Sequence, residues 1–267
     1  MAATQRTSTK ISIPRLTEPN CSIMGILEQL VPNQRINGRK IALHKNYLYD
    51  KLLARRLPLN SFRFPSPIEC HETPGTWRQD GLEDEVVDIS VVVDYLEKTF
   101  GYQVDLIVGH SRASIVAFRW LCFVNISERY RMHKQWRKSF ISQGFHIWTP
   151  TVAGKVVSIK VYPEDIDNFG KFDTSLVWAK FPQRTDVLTI HGLSDTPYDT
   201  IMYLCQGISS RNPGTHSLHL MENTGHNFTG RHDEVVATIL EWWDVNERGN
   251  LESGIWRGKA AGLRNEM

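Results

Sequence analysis

Ser111 follows the apolar run VDLIVG, residues 104–109, where the text GHSRAS turns from a buried strand into a helix. A serine there could attack an acyl carbon. Its hydroxyl is a poor nucleophile at neutral pH. It needs a histidine to accept its proton and a carboxylate to fix that histidine's tautomer and balance its charge. At a helix N-terminus the backbone N–H groups and the positive end of the dipole face whatever the serine attacks. A serine in this place can equally be a plain helix cap, so its partners decide the matter. Two carboxylates, Asp195 and Asp199, share the loop after a later strand, and His216, His219, His226 and His232 lie just before, within or beyond the strand after that.

The elements that must position these residues are legible as a pattern. KISIPRL (10–16) and SIMGILEQL (22–30), separated by Glu18, Pro19 and Asn20, predict an opening antiparallel pair. Lys40–Leu43 predicts a short strand, NYLYDKLLARR (46–56) a helix ending before Pro58, and SFRF (61–64) another strand. From Gly81, acids fill a first turn, Leu82, Val86, Ile89, Val93 and Leu96 share a helical face, and Gly101 closes the helix. VDLIVG is apolar throughout, which suits a central parallel strand covered on both faces. A helix from Arg112, strands FVNI (123–126) and DVLTIHG (186–192), a helix-like TIMYLCQGI, strand SLHLME (217–222) and helix DEVVATILEWW follow. Strand and helix alternate, so the expected class is α/β with a mostly parallel central sheet and helices on both faces.

Between Glu128 and Gln183 the alternation lapses into a basic, aromatic stretch that reads as an insertion over the strand tips. The expected organisation is core in 1–128, a lid in 129–182, core again in 183–244 and a polar tail in 245–267. The chain of 267 residues is 41% hydrophobic, enough for one large core. Its 31 basic and 29 acidic residues form no long run of either sign, which argues against a nucleic-acid partner. The first ten residues lack an apolar signal core and no stretch approaches a bilayer span, so a cytoplasmic location is expected. Cys21, Cys70, Cys122 and Cys205 form no CxxC pair and read as reduced, packed thiols.

Gly109-His110-Ser111-Arg112-Ala113 resembles the nucleophile elbow of the α/β-hydrolase superfamily, among its small intracellular serine esterases and S33-type peptidases. In that turn the nucleophile takes strained backbone angles, and the residues two places either side must be small. Gly109 and Ala113 are small, although Ala113 replaces the usual second glycine. HGLSDTPYD after DVLTI resembles the family's acid loop and implies Asp195 as the acid, with Asp199 a less well placed alternative. NTGHNFTG after SLHLME resembles the histidine loop and implies His226 as the base. His216, His219 and His232 read as surface histidines, and His110 and His191 as packing or support beside the site. The resemblance covers residues 10 to 244. It implies attack by Ser111, proton transfer by His226, orientation by Asp195, an oxyanion contact from the Arg112 N–H and no metal or organic cofactor. Trp136, Phe140, Phe145, Trp148 and Phe172 would line a pocket for a small-molecule ester or acyl substrate.

The chain departs from the family where GRKIALHKNYLYD stands in place of a longer third strand ending in His-Gly, the source of the second oxyanion donor. Losing such a donor typically costs about 100- to 1000-fold in turnover. The junctions after Phe64, Cys122 and Asp195 also read as shortened, as in a trimmed or mis-spliced enzyme. Two rival readings follow: an impaired binding protein that kept the fold, and an acyltransferase or peptidase using the same residues. Dehalogenase and epoxide-hydrolase chemistry would need a carboxylate where Ser111 stands.

Overall fold

The chain begins with strands β1 (Arg6–Pro14) and β2 (Ser22–Leu30), paired antiparallel from Arg6↔Leu30 to Pro14↔Ser22. β1 starts four residues earlier than the apolar pattern indicates, because its outer half is a largely exposed edge of mostly polar residues paired through the backbone. The computed structural model describes residues 5–31, 39–45, 49–64, 78–122, 134–149, 151–152, 155–156, 158–171, 180–195, 208–209 and 212–258. Next come β3 (Lys40–Lys45), α1 (Asp50–Arg56), β4 (Asn60–Arg63), α2 (Leu82–Phe100), β5 (Gln103–Gly109) and α3 (Arg112–Cys122). The intervening stretch holds α4 (Lys134–Gln143), β6 (His146–Trp148), β7 (Thr151–Val152), β8 (Lys155–Val156), β9 (Ile159–Val161) and α5 (Pro163–Lys171). Strands β10 (Val187–Gly192) and β11 (His216–Met221), helix α6 (His232–Glu247) and strand β12 (Gly254–Ile255) complete the order.

Among the described residues the main strands form two sheets. One is mixed, in the order β1-β2-β4-β3-β5, with β4, β3 and β5 parallel; the other is parallel, β10-β11-β12. Alternation along the strands builds a core on each face. Ile41 and Leu43 of β3, with Val104 and Ile107 of β5, pack against α2 and α3. Ala42, Leu106 and Val108 point the other way, into a cluster with α1, α6 and Met221. That second cluster joins the two sheets. Helices therefore cover both faces, which agrees with the expected class.

Several expectations need correction. β3 runs six residues to Lys45, in register with β5 through Lys45↔Gly109, so the strand is not cut short after Leu43. His44 and Lys45 extend it because both are buried, a burial that polar residue types conceal in a sequence. The inner face of α2 is Leu82, Glu85, Asp88, Ile89, Val92 and Leu96; Val86 and Val93 are only partly buried. Two acids thus stand on its apolar stripe. Residues 104–107 of β5 are half-buried, although clusters pack on both faces of the strand as expected. His216 is buried, with its ring bonded to Thr189 and Ser209, and is no surface histidine. FVNI, the junctions after Phe64 and Asp195, Asp199, and TIMYLCQG lie outside the described residues.

The polar tail begins in ordered structure. α6 continues past Trp243 to Glu247, β12 pairs parallel with β11, and the Trp256 N–H donates to the Leu218 carbonyl at 2.8 Å. Leu251 and Trp256 pack against the second core. No helix among the described residues is long and apolar enough to cross a membrane. Trp256→Ala should lower the unfolding free energy by about 1–3 kcal/mol, less than a fully buried tryptophan because the ring is only partly covered. Urea denaturation measures this, and an unchanged midpoint would mean the tail contributes nothing.

Candidate active site

Ser111 is the second of the two residues, His110 and Ser111, between β5, whose apolar side chains commit it to the sheet, and α3, whose buried Ala113, Val116 and Ala117 commit it to the face above. The reversal is tight enough to force Ser111 to φ 54°, a region that costs a non-glycine residue. The turn closes by Ala113 N–H to the His110 carbonyl and Ser114 N–H to the Ser111 carbonyl, both 3.0 Å. Gly109 is required by contact: a Cβ there would sit 2.9 Å from the backbone of Ala113 and Ser114. Ser111 is left exposed, with the first turn of α3 behind it.

Asp195 and His226 arrive from neighbouring loops. β10 and β11 are parallel neighbours, so their ends release both loops on the same side of the sheet. Gly192 lets them touch: a Cβ there would come within 2.3 Å of the Thr224 carbonyl oxygen. Ser194 N–H donates to that same carbonyl at 2.9 Å. A tight turn, with Phe228 at φ 50° and its N–H on the Gly225 carbonyl, presents His226. His226 Nδ1 lies 2.8 Å from Asp195 Oδ2, and Nε2 lies 2.8 Å from Ser111 Oγ. The three expected residues therefore form one connected line of hydrogen bonds. A carboxylate on Nδ1 leaves Nε2 as the acceptor for the serine proton.

His110 adds a tie that the sequence reading left as generic support. Its Nε2 lies 2.7 Å from the His226 carbonyl oxygen, so Nε2–H donates and joins the serine turn to the histidine loop. The ring packs against Tyr49 and Phe228, and burial pushes its pKa down to about 4. His191, buried at the end of β10, is also held below the ordinary histidine value by burial. On the far side of the serine turn, Arg112 reaches Glu85 (Nε–Oε1 2.6 Å) and the Gln79 carbonyl, and Lys45 reaches the other oxygen of Glu85 at 3.0 Å. Glu85 and Lys45 were missed as site neighbours. The available signal was an acid at helical spacing from Leu82, Ile89 and Leu96.

A cavity of about 1020 Å³ is lined at one end by Ser111, Asp195 and His226 and continues between β5 and β10 past Leu106, Val108, Leu188 and Ile190. Of the five expected pocket aromatics, Trp148 lines it, while Phe140 and Phe145 do not. Phe145 instead packs on Tyr162 and under Lys160. The side chain of Trp136, and Phe172, lie outside the described residues. Phe118 and Phe181 are lining aromatics that the sequence reading did not single out. Among the described residues no group of histidine, cysteine and carboxylate side chains could hold a metal ion.

The architecture and the serine turn are those of the α/β-hydrolase fold, and the chain has that fold. Solved structures carrying it include the Butyrivibrio proteoclasticus protein Est1E with ferulic acid bound, 11% identical, covering 87% of this chain and 97% of its own with a TM-score of 0.61. The Pyrococcus furiosus esterase Pf2001 is 12% identical, covers 90% of this chain and 92% of its own, and has a TM-score of 0.56. In sequence, the chain is 24% identical to the uncharacterized Saccharomyces cerevisiae protein YDL057W over 233 residues, spanning 70% of this chain and 66% of that protein's length. No family model matches.

The buried histidines set an acid response. His44, fully buried, has its pKa pushed down to about 3, mainly by burial and then by the positive charges of Arg63 and Arg6. In the unfolded chain the same ring charges near pH 6.5. Its folded value lies below its unfolded one, so the unfolded chain binds more protons between these limits and stability falls as pH drops through them. His44→Gln should therefore flatten the pH dependence of unfolding between pH 6.5 and 5, by at most about 1.4 kcal/mol per pH unit toward the acid end. Urea midpoints at pH 7 and 5 test it, and an unaltered slope would contradict a neutral buried ring.

Proposed function

We propose that the chain is a serine hydrolase that cleaves a carboxylic ester through an acyl-enzyme. Ser111 Oγ attacks the ester carbon, His226 Nε2 takes its proton and returns it to the leaving alcohol, and Asp195 holds the imidazole and balances its charge. The Arg112 N–H, at the first turn of α3, donates to the developing oxyanion. A water then repeats the sequence against the acyl-enzyme and frees the acid. One observation carries this reading: two hydrogen bonds of 2.8 Å each run unbroken from Asp195 through His226 to Ser111.

In this reading the stretch 129–182 is a lid, supported by the contribution of Trp148 and Ile166 to the cavity that Ser111 shares. The apolar and aromatic lining suits an acyl or aromatic group, the kind of ligand that ferulic acid is for Est1E. No step calls on a metal or cofactor.

Fluorophosphonate labelling of the purified protein should modify Ser111, and Ser111→Ala should abolish both labelling and hydrolysis of p-nitrophenyl acetate. Asp195→Asn should leave the fold intact and lower kcat by roughly 10⁴-fold, because the imidazole then presents the wrong tautomer. Equal hydrolysis by the parent and by Ser111→Ala would end the proposal.

A further inference from the structure

We propose that Glu85 is a positioning residue that locks the end of β3 to the serine turn, and so fixes the backbone on which the oxyanion is bound. The inference rests on the hydrolase reading above. Its carboxylate receives one cation from each structural arm. Oε2 lies 3.0 Å from Lys45 Nζ at the last residue of β3, and Oε1 lies 2.6 Å from Arg112 Nε, next after Ser111. Lys45 and Gly109 are also register partners across β3 and β5. The same carboxylate thus spans the points where β3 leaves the sheet and where the chain turns into α3.

The bridge is built to be rigid. Glu85 and Lys45 are 3% and 1% exposed, and Arg112 is 18% exposed. Water screens such a cluster weakly, and an ion stripped of its partner there carries a large desolvation cost. The two cations hold the Glu85 carboxyl down to about 2, against the burial that opposes ionisation. Arg112 also donates to the Gln79 and Arg78 carbonyls, which ties the loop before α2 into the assembly. Opposite it, His110 holds the histidine loop, so Ser111 is braced from both neighbours in sequence. A purely stabilising ion cluster would have no reason to bridge these two particular chain ends.

Helix α2 supplies its own control. Asp88, one turn on and also buried, pairs with Arg15 at 2.9 Å beside the β1 end; it feels the charges of Lys45 and Glu85, but its hydrogen bond and ion pair go to Arg15 and not to Arg112. Glu85→Gln should lower kcat for p-nitrophenyl acetate by about 100-fold with KM within about twofold, since a misplacement near 1 Å costs that much. Asp88→Asn should lose stability while keeping kcat. Glu85→Asp, which keeps the charge but is one methylene short, should fall between, and it substitutes for Glu85→Gln if that variant does not fold. Amide exchange gives a readout independent of turnover: in the Glu85 variants it should quicken in both 40–45 and 109–114, and in Asp88→Asn in neither. Unchanged kcat with unchanged exchange, or equal losses in the Asp88 control, would overturn the proposal. A parent that neither labels nor turns over would instead defeat the hydrolase reading, and the exchange pattern alone would then decide the role of Glu85.

Discussion

A left-handed backbone at one serine is the constraint from which the rest of the site is built. Residue 111 costs free energy in that conformation and keeps it only because its surroundings leave no alternative. β5 is fixed by β3 on one edge and by clusters on both faces, and α3 is fixed by its buried alanines and Val116 against α2 and the sheet. Strand and helix directions are therefore set independently of the turn. Gly109 permits the approach that results, and the strain is concentrated in the one residue whose side chain faces solvent.

The turn would be of little use without loops at matching height, and parallel pairing supplies them. Parallel strands end on one side of their sheet, so the loops after β10 and β11 emerge together. Gly192 has no side chain to keep them apart, and the Ser194 to Thr224 hydrogen bond sets their spacing. His110 then joins the loop after β11 to the turn after β5, across the interval between the two sheets. The Ser111–His226 hydrogen bond and this tie are short bonds over long stretches of chain, spanning 115 and 116 residues. The two sheets are thus registered at the site itself as well as through the shared core.

What the sequence disclosed, and what it hid, follows the type of force involved. Hydrophobic periodicity is local and announced α2, β2, β10, β11 and α6. The serine turn was legible because small residues at fixed offsets have a steric cause that requires no knowledge of the partner, and the two loops were legible through their resemblance to the family's acid and histidine loops. Contacts between charged groups were hidden, since Lys45, Glu85 and Asp88 read as surface residues until their partners from other elements are known. His44 and His216 were hidden for the same reason. β12 escaped notice because two exposed residues at a sheet edge pair through backbone alone, with no apolar alternation to reveal them.

The placement of ions around the serine turn also has a physical logic. Apolar packing would stabilise the same volume as well or better, because a buried ion pair often gains no more than it loses on leaving water. Its distinguishing property is directional: a carboxylate with two fixed acceptor oxygens can be satisfied by Lys45 and Arg112 together only over a narrow range of geometry. An apolar contact tolerates sliding, whereas this arrangement resists it. Catalysis by oriented N–H groups depends on tenths of an ångström, so a costly but unforgiving tether beneath the turn is better suited to the site than a stronger and more compliant one.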